Sequence, residues 1–132
     1  MPQSTAINHR AALPENHMPL IFHITTGTAW DAARRVGAYT ADSLATEGFI
    51  HCSTRAQVQS TANRIFKGRS GLLLLSVDVD RVKPEIRYEN LEGGSNLFPH
   101  IYGALAIDAV VAVHDFPPRA DGGFDLPAGL TV

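Results

Sequence analysis

The chain contains almost no cysteine: Cys52 is the only one among its 132 residues. No disulfide can form within the chain, and a reducing compartment is expected. No apolar run approaches the roughly 20 residues that a membrane-spanning helix needs. The first 19 residues contain no continuous apolar stretch of the kind that marks a secretory signal. The sequence therefore predicts a cytoplasmic protein that does not span a membrane.

Long basic tracts are also missing, and the net charge is −2. Duplex nucleic acid is therefore not an expected partner. Neither a glycine-rich phosphate loop nor a Gly-x-Ser-x-Gly elbow occurs. A hydrophobic content of 45% is typical of a chain that buries its own core. We expect one α+β domain at residues 20–132, preceded by a flexible extension at residues 1–19.

Hydrophobic periodicity predicts two main helices, both in the N-terminal half. The first opens at Thr28 and is stopped by Gly37. The second is capped by Ser53 or Thr54 and runs to about Lys67. Between the two helices, residues 42–47 are polar and predict a loop.

The remaining apolar segments predict strands. Residues 72–79 form an almost continuous apolar run, which predicts a central strand covered on both faces. Further strands are expected at residues 20–25, 38–40, 109–116 and 124–126, the last after a turn at Asp121-Gly122-Gly123, and a short one is expected around Ile86 and Tyr88. Helices early in the chain and strands late in it predict an α+β fold with a mixed sheet.

Three histidines lie inside short apolar segments, which are Phe22-His23-Ile24-Thr25, Phe49-Ile50-His51-Cys52-Ser53 and Phe98-Pro99-His100-Ile101-Tyr102. A half-buried imidazole is costly without a partner, and function is a common reason to accept that cost. If the segments are strands, alternate side chains share a face. His51 then lies beside Phe49 and Ser53, and it cannot serve as a base for its neighbour Cys52, which we expect in the core.

The histidines leave two kinds of site open. Three imidazoles suffice for a catalytic zinc ion, but 28 residues separate His23 from His51 and 49 separate His51 from His100, unlike local zinc motifs. The second kind is an anion site, because Ser53, Thr54 and Arg55 begin the second predicted helix directly after His51. The alternative is that Ser53 and Thr54 only cap that helix and that Gln57 is a surface residue.

The three histidine segments, in this order, resemble the bacterial domain-of-unknown-function family 952 over about residues 20–126. The resemblance implies a compact ADP-ribosyltransferase-like fold, in which a split and strongly bent β-sheet cradles NAD. It also extends to the RNA 2′-phosphotransferases, whose Val-His-Leu-Ser segment is similar to Ile50-His51-Cys52-Ser53. Such transferases use a glutamate on a late strand, but here His100 and Tyr102 stand nearest that position, and Glu89 and Glu92 match it poorly.

What the resemblance implies for function is a site that binds NAD, ADP-ribose or a phosphorylated ligand and performs an ADP-ribosyl- or phosphotransferase-like reaction. His51 and His100 are its expected catalytic residues. Its expected cofactor-binding residues are His23 for a ribose, Ile24 for the nicotinamide amide, and Thr25, Ser53, Thr54, Arg55 and Tyr102. Two alternatives remain open, a ligand-binding or regulatory module without catalysis and a hydrolase with a histidine-ligated metal.

Overall fold

The computed structural model describes residues 19–130, so the predicted extension at residues 1–19 lies outside the described residues except for Pro19. The helices of this part of the chain are α1 (Gly27–Val36), α2 (Asp42–Thr46) and α3 (Arg55–Ile65). Its strands are β1 (Leu20–Thr26), β2 (Ala38–Tyr39), β3 (Ile50–His51), β4 (Leu72–Asp78), β5 (Ile86–Glu89), β6 (Phe98–Ile101), β7 (Leu105–Ala106) and β8 (Val110–Asp115). The predicted α+β class, with its two longer helices in the N-terminal half, is confirmed.

The first sheet is built around β4, which pairs antiparallel with β1 on one side and with β8 on the other. Side chains of β4 alternate between two apolar clusters. Leu75 packs with Trp30 of α1, whereas Leu74 packs with Val58 and Ala62 of α3. One helix therefore covers each face of the sheet, and the predicted central strand is confirmed because both of its faces are buried.

Two further sheets complete the β structure, with strand orders β2-β7 and β3-β6-β5. Every strand pairing within residues 19–130 is antiparallel, so the predicted mixed sheet is wrong. The reason is that each helix connects strands of two different sheets. No helix therefore acts as the crossover that a parallel pair requires.

A backbone bridge joins the first sheet to the third. The N–H of Phe22 donates to the Ser53 carbonyl at 2.8 Å, and the N–H of Ser53 donates to the Phe22 carbonyl at 2.8 Å. The N–H of Cys52 also donates to the carbonyl of Pro99, at 3.0 Å. These bonds place the three histidine segments side by side, although they are far apart in the sequence.

The first helix begins one residue earlier than its predicted opening at Thr28. The hydroxyl of Thr26 accepts a hydrogen bond from the N–H of Ala29 at 3.0 Å, so Thr26 is the N-cap. Gly37 ends the helix in the left-handed conformation, with a φ of 97°, as predicted. The buried Trp30 is anchored against the first sheet on the inner face of this helix.

Two other local predictions are wrong. Residues 42–47 contain the short helix α2, whose five residues are too few to show helical periodicity. Residues 124–126 are not a strand, although the turn before them is present. The backbone of Phe124 is satisfied by side chains of α3 instead, because its N–H donates to Asn63 Oδ1 and its carbonyl accepts from Gln59 Nε2. No helix within residues 19–130 is both long and apolar enough to cross a membrane.

Candidate active site

The strand pairing brings two of the three histidines together. His51 on β3 is the register partner of His100 on β6, so the two side chains lie next to each other. Their ring centroids are 5.2 Å apart, and the rings meet edge to face at 78°. The ring of Phe49 stacks on His100 at 4.1 Å and contacts the edge of His51 at 4.7 Å. An aromatic side chain therefore fixes both imidazoles.

Each of these histidines is paired with a glutamate. His51 Nε2 lies 3.1 Å from Glu47 Oε2, and both side chains are about half exposed. His100 Nδ1 lies 2.9 Å from Glu89 Oε2, and only 6% of the His100 side chain is exposed. Since a carboxylate oxygen accepts, the ring nitrogen donates in each pair. The other ring nitrogen, Nδ1 of His51 and Nε2 of His100, has no hydrogen-bonding partner among the described residues.

Glu89 is held by a second donor. The hydroxyl of Tyr102 donates to the same oxygen, Oε2, that accepts from His100. Hydrogen bonds from Tyr102 and His100 hold the pKa of the Glu89 carboxyl below its usual value, and the bond to Glu89 raises the pKa of the Tyr102 hydroxyl. The guanidinium of Arg87 lies over the Tyr102 ring at 4.3 Å. Glu89 is therefore an ionised carboxylate at neutral pH, in contact with a buried imidazole.

His23 has different surroundings, because both of its ring nitrogens have partners. Nδ1 lies 2.5 Å from the backbone oxygen of His51, and Nε2 lies 2.7 Å from the hydroxyl of Tyr39, which is also 2.9 Å from Thr25 Oγ1. Burial lowers the pKa of His23 to about 4, so its ring is neutral at pH 7. A carbonyl oxygen only accepts, so Nδ1 carries the proton and Nε2 accepts from Tyr39. His23 thus joins Tyr39 to the backbone of the His51 strand.

The histidine pair and its surroundings enclose a cavity of about 400 Å³. Five residues predicted for the site line this cavity, and they are His23, Ile24, His51, Ser53 and His100. Its walls also contain the phenylalanines Phe22, Phe49, Phe66 and Phe98. Pockets of this volume with apolar walls and a few polar groups are typical of small-molecule sites.

The charged groups at the cavity are unevenly distributed. Among residues 19–130, its lining contains the carboxylates of Glu47, Glu89 and Glu92 but only one guanidinium, that of Arg64. Glu47 and Glu89 bind the two histidines, whereas Arg64 forms no ion pair with a residue described in the structure. Arg64 is therefore the group at this cavity best suited to a single anionic group on a ligand.

Four of the predicted ligand-binding residues do not line the cavity. Thr25 lines a second cavity of about 190 Å³, and the hydroxyl of Tyr102 donates a hydrogen bond to Glu89. Thr54 is the N-cap of α3, where Gln57 completes a capping box by accepting from the Thr54 N–H at 2.9 Å. Arg55, the first residue of α3, also lies outside the lining of this cavity. The predicted role of Thr54 as a cap is therefore correct. At the N-terminus of α3, the side chains of Thr54 and Gln57 bond to backbone N–H groups of the same segment.

The sequence left open that Gln57 is only a surface residue, but its side chain holds a distant loop. Its amide nitrogen donates to Asn96 Oδ1 at 2.8 Å and to the Leu97 carbonyl at 2.7 Å. These bonds attach the start of α3 to the loop before β6. Gln57 thereby fixes the strand that carries His100, from 40 residues away in the sequence.

Sequence reasoning missed both glutamates of the site. The sequence predicts a polar loop at Glu47, but this residue follows α2 and its carboxylate pairs with His51 four residues later. Glu89 matches the late-strand glutamate poorly in the sequence, because its distance from His100 along the chain hides their proximity in space. It ends β5, which pairs with β6 so that Glu89 lies opposite Phe98. The available signal was the alternation of side chains along β5, but its use requires knowing that β5 pairs with β6.

A site with three histidines around one metal ion is not formed. Within residues 19–130, no group of three or more His, Cys, Asp or Glu side chains is arranged to hold a metal ion. Both ring nitrogens of His23 are already bonded to protein groups. Cys52 is buried, as expected, and burial raises the pKa of its thiol. The metal-dependent alternative and a cysteine nucleophile therefore find no support in this arrangement.

Comparison with known proteins gives a family and a fold. A family model described as a protein of unknown function, DUF952, matches residues 24–113. The crystal structure of CC0527 from Caulobacter crescentus is 34% identical to the chain, with a TM-score of 0.74, over 81% of this chain and 94% of that one. The solution structure of the same protein is also 34% identical, with a TM-score of 0.71, over 80% and 91%. No curated protein matches the chain.

Proposed function

The chain belongs to the DUF952 family, and we propose that it binds NAD, ADP-ribose or another phosphorylated ligand and transforms it by acid–base chemistry at His51 and His100. The family description names no activity, so the proposal rests on the site itself. One observation carries it. His51 and His100 lie at the same cavity with ring centroids 5.2 Å apart, and each is bonded to its own glutamate.

Two imidazoles supply the two proton transfers of a transfer or hydrolysis reaction. When a hydroxyl or a water attacks a phosphoester or the pyrophosphate of NAD or ADP-ribose, a base takes the proton of the nucleophile and an acid supplies a proton to the leaving oxygen. Histidine exists in both protonation states near neutral pH, so it serves in either role. One proton enters the pair and one leaves it, and exchange with water restores the starting state.

The surroundings of the two histidines support different proposed roles for them. His100 donates to the ionised Glu89, which stabilises the imidazolium that forms when His100 accepts a proton. We therefore assign the base to His100. The half-exposed side chain of His51 exchanges protons readily with water, so we assign the acid to His51.

The lining of the cavity supports a nucleotide-type ligand. Phenylalanine rings accept a planar base or a nicotinamide ring by stacking. Arg64 offers its guanidinium to one phosphate-type group. Ile24 and Ser53 remain the expected contacts with the ligand, whereas we assign His23 to positioning, because both of its ring nitrogens are already bonded.

Glu89 favours catalysis over binding alone. The absence of a carboxylate near the late-strand position that ADP-ribosyltransferases use would favour the non-catalytic alternative. Glu89 lines the cavity and contacts both His100 and Tyr102. A carboxylate is therefore present beside the reacting groups, on β5 rather than on the strand of His100.

The proposal is tested with NAD, ADP-ribose and inorganic phosphate as separate probes. Thermal shift measures binding, and chromatography of the incubated mixtures measures turnover, with suitable acceptors included. We expect NAD or ADP-ribose to raise the melting temperature at millimolar concentration. Turnover should fall about 100-fold or more in His51→Gln and in His100→Gln, because general acid–base groups contribute about 10²–10⁴ in rate.

His114→Gln is the matched control, since His114 bonds to Ser76 on the first sheet and does not line the cavity. It should retain wild-type turnover. Absence of a thermal shift with all three probes would contradict the proposal, as would equal turnover in His51→Gln and wild type. Binding without turnover would reduce the site to a binding module and overturn its catalytic part.

A further inference from the structure

We propose that the second cavity is a subsite for a ribose-like ring, which binds through its neighbouring hydroxyls to Asp42 and to the surrounding threonine hydroxyls. The inference rests on the proposed function, because the ring belongs to the ligand whose reacting part lies at His51 and His100. It adds to that function the chemical class of a second portion of the ligand and the residues that select it.

The second cavity adjoins the first. Its volume is about 190 Å³, and it lies between β1, β2 and the starts of α1 and α2. Ile24 and Phe66 line both cavities. A ligand that passes over these two side chains therefore contacts both cavities at once.

The two cavities differ in the chemistry of their walls. Hydroxyl and carboxyl groups of the second cavity come from Thr25, Thr26, Tyr39, Thr40 and Asp42, and none of the Lys, Arg or His residues within 19–130 belongs to its lining. Among these described residues, a phosphate group would find no cation there. The hydroxyls of Tyr39 and Thr25 are bonded to each other, whereas the Thr40 hydroxyl has no partner among the described residues and Thr26 only accepts from the Ala29 N–H. The hydroxyls of Thr26 and Thr40 can therefore bond a sugar hydroxyl, and a carboxylate accepts from both hydroxyls of a vicinal diol.

Asp42 is the group in this lining that is able to hold such a diol. It is exposed, and its carboxylate forms no hydrogen bond or ion pair with a residue described in the structure, whereas its backbone carbonyl accepts from Thr46. Two hydrogen bonds from sugar hydroxyls to a carboxylate provide recognition that a ligand without those hydroxyls lacks. Asp42 therefore determines specificity for the hydroxylated ring.

A chain of hydrogen bonds links the subsite to the reacting groups. Tyr39 lines the second cavity, its hydroxyl lies 2.7 Å from His23 Nε2, and His23 Nδ1 lies 2.5 Å from the backbone oxygen of His51. The wall that receives the sugar is thus bonded through one side chain to the strand that carries the catalytic acid. This connection favours a single ligand across both cavities over two unrelated ligands.

Two nucleotides that differ only in their sugar hydroxyls test the subsite. The probes are adenosine 5′-monophosphate and its 2′,3′-dideoxy analogue, titrated calorimetrically into the full chain. We expect the wild type to bind the ribonucleotide about tenfold more tightly, because one hydrogen bond to a charged group has this value. Asp42→Asn and Thr40→Val should weaken binding of the ribonucleotide and leave the affinity for the dideoxy analogue unchanged.

Asp108→Asn is the control, since Asp108 is exposed and lies outside both cavities. It should keep the tenfold preference. Equal affinity of the wild type for the two nucleotides, equal weakening of both by Asp42→Asn, or no binding of either would each overturn the subsite. A preference that depends on Asp42, in a protein whose His51→Gln and His100→Gln variants retain full turnover, would support the subsite and contradict the proposed function.

Discussion

His23 on β1 and the His51–His100 pair on β3 and β6 line the same cavity, yet their surroundings differ. His23 is buried, neutral and bonded at both ring nitrogens. His51 and His100 each bind one glutamate and keep a second ring nitrogen without a partner among residues 19–130. The three histidines occur in similar apolar segments of the sequence. Their hydrogen-bond partners, rather than their sequence context, distinguish the residue to which we assign positioning from the two that we propose as catalytic.

The same contrast applies within the proposed catalytic pair, His51 and His100. Glu89 is partly buried and receives hydrogen bonds from Tyr102 and from the buried His100. Glu47 is half exposed and meets His51 at 3.1 Å. Water competes with the Glu47–His51 pair, so that interaction contributes little. The pair at Glu89 is held by packing, and it should therefore dominate the chemistry.

The largest expected effect is on turnover. Glu89→Gln replaces the carboxylate that stabilises protonated His100, and turnover of whichever probe proves to be the substrate should fall about 10²–10⁴-fold, as when the acid behind a catalytic histidine is lost. Glu47→Gln is the matched variant and should lower turnover by less than about fivefold. Steady-state rates with unchanged melting temperatures measure this difference. Equal losses in the two variants would contradict the ranking of the two pairs.

The second effect is on stability against pH. Burial lowers the folded-state pKa of His23 to about 4 from its ordinary value of 6.5. Below pH 6.5, His23 therefore binds a proton in the unfolded chain but not in the folded chain. The free energy of unfolding falls for this reason as the pH drops from about 6.5 to 4. The total loss is about 3 kcal/mol. Urea denaturation at several pH values measures it.

His23→Leu should remove this contribution to the pH dependence, because leucine does not titrate. His51 provides the comparison, since it is half exposed. If His51→Leu flattened the stability curve as much as His23→Leu, the distinction between the two histidine environments would be lost.

The elements that sequence reasoning predicted correctly depend on local signals. The stop of α1 at Gly37, the cap of α3 at Thr54 and the central position of β4 each follow from residues within one short segment. The buried anchor Trp30 follows from the apolar face of α1. Periodicity and capping act over a few residues, so one sequence contains enough information to identify them.

The parts that were missed depend on distant partners. Glu89 joins the site because β5 pairs with β6, and Gln57 holds the loop before β6 through bonds that span about 40 residues. Residues 124–126 read as a strand, but side chains of α3 satisfy the backbone of Phe124. A single sequence does not specify which segments meet, so these contacts were not predictable from local pattern.

A third prediction compares the stability of two substitutions at pH 7. His23→Leu keeps an apolar side chain of similar size but leaves the buried Tyr39 hydroxyl and the His51 carbonyl without the partner that joined them. The free energy of unfolding should fall by about 2 kcal/mol. His51→Leu alters an exposed side chain and should change it by less than about 0.5 kcal/mol. Similar losses in the two variants would show that the hydrogen bonds of His23 contribute no more to stability than the contacts of His51.

The smallest effect is expected for Tyr39→Phe, which removes one hydroxyl from the buried chain of hydrogen bonds. His23 Nε2 loses its donor and Thr25 loses a partner, so the free energy of unfolding should fall by about 1 kcal/mol. The Tyr39 hydroxyl is bonded to His23 and Thr25 rather than to a proposed catalytic group, so turnover at saturating ligand should stay within about threefold of wild type. Glu89→Gln should show the reverse pattern, with turnover lost and stability kept. If Tyr39→Phe instead lowered turnover as strongly as Glu89→Gln at unchanged stability, His23 and its partners would belong to the reacting groups.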